Sequence, residues 1–161
     1  MGAPKDTLCK SILLVNSALA EATPLSASVS PDVFSSRYVL VVLQYVTRLD
    51  TDALAKALRA QCTTSATFKL NVAPAEASDE LSGFSHNAVT PFGMHCAVPV
   101  VVSRSVADKG GFVWLGGGEV DMKLRIPVAQ LLKPGVLVPG ATAAPIVVDC
   151  TPRREDDGDD E

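Results

Sequence analysis

The chain has 161 residues, 47% of them hydrophobic, 20% charged and 5% aromatic, with a formal net charge of −4. That length gives one domain with room for a sizeable core, and the longest apolar run, "YVLVVLQYV", is too short to cross a bilayer and is broken by Gln44. The charge sits at one end: "RREDDGDDE", Arg153 to Glu161, holds two basic and six acidic residues, which leaves a body with twelve of each sign.

A tail so acidic and free of apolar side chains is expected to be disordered and to repel nucleic acid. The neutral body shows no basic patch, so any nucleic-acid contact is expected to be local and weak. Residues 1–152 are therefore read as one domain and 153–161 as an acidic tail. No apolar segment follows a basic start, as a secretory leader requires. Cys9, Cys62, Cys96 and Cys150 form no CxxC pair. Both features fit free thiols and a cytoplasmic location, with no membrane partner.

In chain order, Leu8 to Val15 reads as a first strand. Alternate residues share a face, so Lys10 falls in the row of Leu8, Ile12 and Leu14. A cation among apolar neighbours is costly to desolvate, and the reading is that this face floors a pocket receiving an anion. Residues 17–36, rich in Ser, Ala and Pro, read as a long mobile loop. Arg37 to Val46 predicts a central strand covered on both sides. "DTDALAKALRA" predicts an amphipathic helix with Asp or Thr as N-cap and Leu54, Ala57 and Leu58 inward.

"TFKLNV" alternates, with Phe68, Leu70 and Val72 inward and Lys69 and Asn71 outward. A short helix is expected from near Pro74 to Gly83, followed by the loop "FSHNAVTPFGM". "VPVVVS" is a strand whose Pro99 marks an edge or a strand start. "DKGG" turns the chain into "FVWL". "EVDMKLRI" then alternates, with Val120, Met122, Leu124 and Ile126 inward and Asp121, Lys123 and Arg125 outward. Pro127 begins a short helix, and the remainder reads as irregular. The fold class is α+β: a mixed, mostly antiparallel, barrel-like sheet flanked by a few helices.

The sequence has no GxSxG, HExxH or P-loop. "GGGEVD" has the wrong spacing for a dinucleotide fingerprint and precedes a strand; backbone crowding at a strand start or bulge is the plainer reading. His95–Cys96 with His86 matches no common zinc spacing. In "HNAVTPFG", Pro91 holds Thr90 extended and Gly93 allows a positive φ. Such a loop can aim backbone groups at a ligand, although an ordinary tight connection explains it as well.

Five segments in order carry a resemblance: "CKSILLVN", "RYVLVVLQYV…DTDALAKALRA", "LSGFSHNAVTPFG", "VPVVVSRSV" and "FVWLGGGEVDMKL". Together, from about residue 8 to 133, they resemble the YbaK/ProX family of aminoacyl-tRNA deacylases, related to the editing domain inserted in bacterial prolyl-tRNA synthetases. The resemblance implies a mixed barrel with a pocket for the 3′ end of tRNA, and hydrolysis in trans of the ester joining a wrong amino acid to tRNA. Lys10 falls on the family's functional lysine. Thr90, Pro91 and Gly93 fall on the loop that positions the scissile carbonyl, and Gly116, Gly117 and Gly118 cover the family's Gly pair. His86 and Asn87 are further candidates for substrate contact. The chain departs from the pattern at Asn87, where the family has Gly, and at Ser103, where it has Asp, and it begins without the helix and strand that normally precede the lysine.

No cofactor or metal is called for. Lys10 is expected to act as a positioning cation and not as a nucleophile, and the expected partner is the aminoacyl-tRNA 3′ end, held weakly and transiently, not DNA. The alternative reading is a catalytically silent module of the same fold that docks onto a synthetase or another translation factor.

Overall fold

The computed structural model describes residues 2–152; the tail lies outside the described residues. Among the described residues there are seven strands and four α-helices. The strands are β1 (Cys9–Asn16), β2 (Tyr38–Gln44), β3 (Leu70–Val72), β4 (Val100–Ser103), β5 (Phe112–Gly116), β6 (Lys123–Pro127) and β7 (Ile146–Val148). The helices are α1 (Thr51–Gln61), α2 (Ala75–Ser82), α3 (Arg104–Ala107) and α4 (Val128–Leu131).

Five strands form one sheet in the order β3-β1-β2-β4-β7, and β5 and β6 form a separate hairpin. Pairings β1–β2, β1–β3 and β5–β6 are antiparallel, while β2–β4 and β4–β7 are parallel. The mixed, mostly antiparallel architecture is as expected. The two sheets meet at a single bridge, Leu8 to Trp114, so among the described residues the strands do not close into a hydrogen-bonded barrel.

All seven residues of β2 are buried because both faces of the main sheet are covered. On one face Leu14, Val41 and Leu43 pack with Leu54 and Leu58 of α1. On the other, Leu13, Leu40 and Val42 pack with Ala77 and Leu81 of α2 and with Val113 and Leu115 of β5. Asp50 caps α1, its carboxylate accepting from the N–H groups of Asp52 and Ala53, both at 3.0 Å. Pro74 and Gly83 bound α2 as expected, with Gly83 at φ +77° closing it. Pro99 lies at a strand start: its carbonyl accepts from Leu40 N–H, and β4 is interior to the sheet.

Several expectations need correction. Residues 17–36, read as a long mobile loop, contain one 3-10 turn at Leu25–Ser28 and are held by their own serines: Ser28 Oγ accepts from Ala22 N–H at 2.8 Å and Ser36 Oγ donates to Tyr38 O at 2.7 Å. Val72 is 67% exposed rather than inward, since β3 is a short edge strand. Val120 and Met122 lie in the turn before β6 and are exposed, as is Leu124 at the start of that strand, whereas Ile126 of the same row packs against the core as expected. The region beyond α4 is not wholly irregular, because β7 completes the main sheet.

Candidate functional site

Strand β1 is paired along the whole of one edge but not the other. On the second edge β3 covers only Leu14 to Asn16, and β5 touches only at Leu8. Between them the edge from Cys9 to Ile12 is open, and a cavity of about 470 Å³ fills the gap. The direction of the main-chain groups follows from neighbouring bonds. Asn16 N–H bonds to Arg37 O on the β2 side, whereas Leu13 O accepts from Ala73 N–H on the β3 side. Main-chain groups alternate between edges along an antiparallel strand, so Ser11 directs its N–H and C=O toward the open edge.

Lys10 is half-buried and lines this cavity. It keeps the row of Ile12 and Leu14, facing the α1 side of the sheet and paired with Leu43. The cavity is therefore not floored by that row alone, since Cys9, Ser11 and Leu13 of the opposite row line it too. The Lys10 Nζ lies 5.7 Å from the centroid of the Tyr45 ring, and Lys123 Nζ lies at the same distance from the same ring. Two ammonium groups thus share one aromatic platform at the cavity, each gaining a modest cation–π attraction of about 0.5–1 kcal/mol. Neither belongs to an ion pair among the described residues.

Ser11 supplies the one hydroxyl in the wall whose isolation stands out: its Oγ is buried and has no protein partner. Cys9 is the only thiol lining the cavity, and burial pushes it up to about 12. At neutral pH it is a protonated thiol and a poor nucleophile.

His86 and Asn87 line the cavity from the loop after α2. Asn87 has φ +66°, a left-handed conformation that Gly adopts freely and Asn better than most other residues. This explains how Asn can stand where the resembling family carries Gly. Gly116, at the end of β5, closes the site from the other side. A Cβ there would come within 3.0 Å of Val89 O and 3.7 Å of Thr90 Cβ, so only a glycine lets β5 lie this close to the loop.

The remaining expected site residues do not line the cavity. Thr90 and Pro91 are buried, and Thr90 Oγ1 accepts from Phe92 N–H at 3.5 Å. Gly93, at φ +74°, lines a separate depression together with His95. Gly117 leaves room for the Met122 side chain, and Gly118, at φ +93°, lies against the Phe84 ring. Ser103 is fully buried at the end of β4, 3.0 Å from Ser105 Oγ, and does not line the cavity. No group of three or more His, Cys, Asp or Glu able to hold a metal occurs among the described residues.

Sequence reasoning missed Ser11, Tyr45 and Lys123 as cavity residues. Lys123 had been assigned outward by alternation, which is correct for its own strand, but "outward" from β6 leads to the cavity beside Tyr45. Ser11 had no signal of its own, because its importance lies in an edge that no partner strand fills.

The chemistry available is that of a half-enclosed chamber with two cations, an unpartnered hydroxyl and the Ser11 N–H turned toward the open edge. It suits an anionic ligand carrying a polarised carbonyl, and the described residues offer it no Ser/His/Asp set.

Comparison with solved structures places this fold among known ones. A scaffold protein used for computational epitope grafting aligns with a TM-score of 0.67 at 20% identity, covering 94% of this chain and 76% of that one. A candidate trans-editing enzyme for prolyl-tRNA synthetase aligns with a TM-score of 0.65 at 20% identity, over 94% of this chain and 74% of the other. The hypothetical protein APE2540 gives 0.64 at 19%, over 92% and 77%. No curated protein matches the sequence. Residues 2–133 match the family described as the aminoacyl-tRNA editing domain. Strands β1 to β6, the lysine on β1, the loop after α2 and the glycines closing β5 all lie within that match, and the chain belongs to the aminoacyl-tRNA editing domain family.

Proposed function

We propose that this chain acts in trans as a deacylase, hydrolysing the ester that joins a wrong amino acid to tRNA, and that residues 1–152 form the single domain that does so. The observation that carries the reading is the cavity on the open edge of β1, with Lys10 and Lys123 beside it and the Ser11 hydroxyl unpartnered in its wall. Its volume lies in the ordinary range for small-ligand sites, ~300–1,000 Å³, and its wall includes the aliphatic side chains of Ile12, Leu13, Val72 and Val89.

In this reading Lys10 meets the phosphate or the aminoacyl end of the substrate. The cost of holding an ammonium partly out of water is offset when that anion arrives. Ester cleavage needs a placed water, donors for the developing oxyanion and a proton for the leaving hydroxyl. The Ser11 N–H and Oγ supply donors on the strand side. The Asn87 turn, backed by Thr90 and Pro91 and held against Gly116, fixes the other wall. His86 stands at the exposed end of that loop, within reach of the entering substrate. Gly93, Gly117 and Gly118 shape the backbone that holds these groups. Because the cavity wall around the acyl group is apolar, discrimination between amino acids differing by a methylene is limited to ~1–3 kcal/mol.

The test is a panel of mischarged tRNAs incubated with the protein and with Lys10→Ala. Deacylation of at least one member, reduced ~10²–10³-fold in the variant, supports the reading. Deacylation that Lys10→Ala leaves intact removes Lys10 from the mechanism.

A further inference from the structure

The hairpin β5–β6 has one face in the core and one left open around Phe112 and Arg125, with the loop after α2 lying against it only at Gly116. Val113 and Leu115 are fully buried, so Phe112, Trp114 and Gly116 point the other way. Opposite them on β6, Trp114 faces Arg125 and Gly116 faces Lys123. The Arg125 guanidinium sits over the Phe112 ring, 3.7 Å from its centroid. At the near end Lys123 reaches Tyr45, whose other neighbour is Lys10. The row therefore runs Phe112, Arg125, Trp114, Lys123, Tyr45, Lys10, with aromatic rings and cations interleaved, and it ends in the cavity.

We infer that this face is a platform for single-stranded RNA, and that it guides the unpaired 3′ end of the substrate toward the cavity on β1. The inference rests on the deacylase reading for its direction, but the binding claim stands on the face itself. Rings stack on bases of any identity, and the cations between them meet successive phosphates. From the level of Phe112 to that of Lys123, opposite Gly116, the face extends about 14 Å at the usual strand rise, a length that a few unpaired nucleotides cover. Phe112, Trp114 and Arg125 also line an open depression of about 370 Å³ at the end of the row farther from the cavity. No acidic residue lines that depression, and Lys109, which does, is paired with Asp6 at 2.5 Å, whereas Lys10, Lys123 and Arg125 form no ion pair among the described residues. In a body whose charges balance, three unpaired cations along one aromatic row make a local attraction for a polyanion. A duplex presents its bases stacked inside and cannot use the rings, which is why the occupant is single-stranded.

Trp114 is the only tryptophan in the chain, so its fluorescence reports this face alone. The experiment titrates the full chain with a short oligoribonucleotide ending in CCA, with a blunt RNA duplex and with polyglutamate. Saturable quenching by the single strand is expected, weakened about tenfold by Phe112→Ala or Arg125→Ala, in variants whose circular dichroism matches the parent. With three cations engaged, the logarithm of affinity falls against the logarithm of salt with a slope of about −2. Quenching as strong with the duplex or polyglutamate, or unchanged in both variants, overturns the proposal. A second arm compares mischarged tRNA with a minimal aminoacyl ester of adenosine. Arg125→Ala should raise KM for the tRNA several-fold more than for the ester. If neither ester is cleaved yet the oligonucleotide binds as described, the deacylase reading fails and the platform stands. If both are cleaved with no such difference, the platform fails alone.

Discussion

Gly116→Ala tests how the cavity is held shut on its β5 side. The added methyl would lie 3.0 Å from Val89 O, a backbone atom, and 3.7 Å from Thr90 Cβ. Ordinary contact begins a few tenths of an ångström farther out, so either β5 or the loop carrying His86 and Asn87 has to move. Gly116 is not among the glycines with positive φ, so its backbone conformation is open to alanine and the effect is steric. Overpacking of this kind typically costs ~1–3 kcal/mol, which for a chain of this size lowers Tm by roughly 3–10 °C. Thermal unfolding followed by circular dichroism measures the loss. Gly93→Ala is the useful companion: it has φ +74° but no atom within 4 Å of the new methyl, so it carries the backbone penalty of about 1 kcal/mol without the clash. The combined expectation is that Gly116→Ala loses both stability and deacylation, while Gly93→Ala loses mainly stability. A Gly116→Ala protein as stable and as active as the parent would refute the claim that the loop and β5 are pressed together to form the site.

Two further outcomes follow from single atoms. Ser11→Ala removes a hydroxyl with no protein partner, so stability should stay within about 0.5 kcal/mol of the parent, while deacylation falls about tenfold; equal activity would dismiss the hydroxyl as a donor. Burial pushes Cys9 up to about 12 and Cys150 up to about 11, from an ordinary value of 9.0. Because the folded values are raised, the two thiols contribute stability in full below about pH 9, lost as pH climbs through the window from 9 to 12, with a slope of at most ~1.4 kcal/mol per pH unit for each. Denaturant titrations across that range should steepen accordingly and flatten in Cys150→Ala; an unchanged profile in the variant would contradict the assignment.

The elements read most easily from sequence were those whose pattern is local. β2 is an unbroken apolar run because both its faces are covered, and α1 announces itself by Asp50 and by Leu54 and Leu58 on one side. Gly83 marks the end of α2 for the same kind of reason, since only a residue tolerant of positive φ fits there. β7 was illegible: three residues hold no period, and its existence depends on β4 offering a parallel edge. Alternation assigned Val72 and Leu124 inward, but alternation fixes only which face a residue takes, and whether anything covers that face is tertiary. The site divides along the same line. Lys10 was conspicuous as a cation in an apolar row, and Asn87 as a replacement for Gly. Lys123 looked like any charge on a solvent face, and Tyr45 like the end of a core strand. Ser11 was silent, since the feature that matters is the partner strand it lacks.

The account stands or falls on whether the Lys10 ammonium meets substrate. Single-turnover deacylation of the tRNA that the protein accepts best, measured side by side for the parent, Lys10→Ala and Lys10→Arg, addresses this most directly. The expected result is a drop of ~10²–10³ for alanine with partial recovery for arginine, which keeps the charge. Equal rates in all three would show that the cavity beside β1 does its work without that cation, and the central claim would be lost.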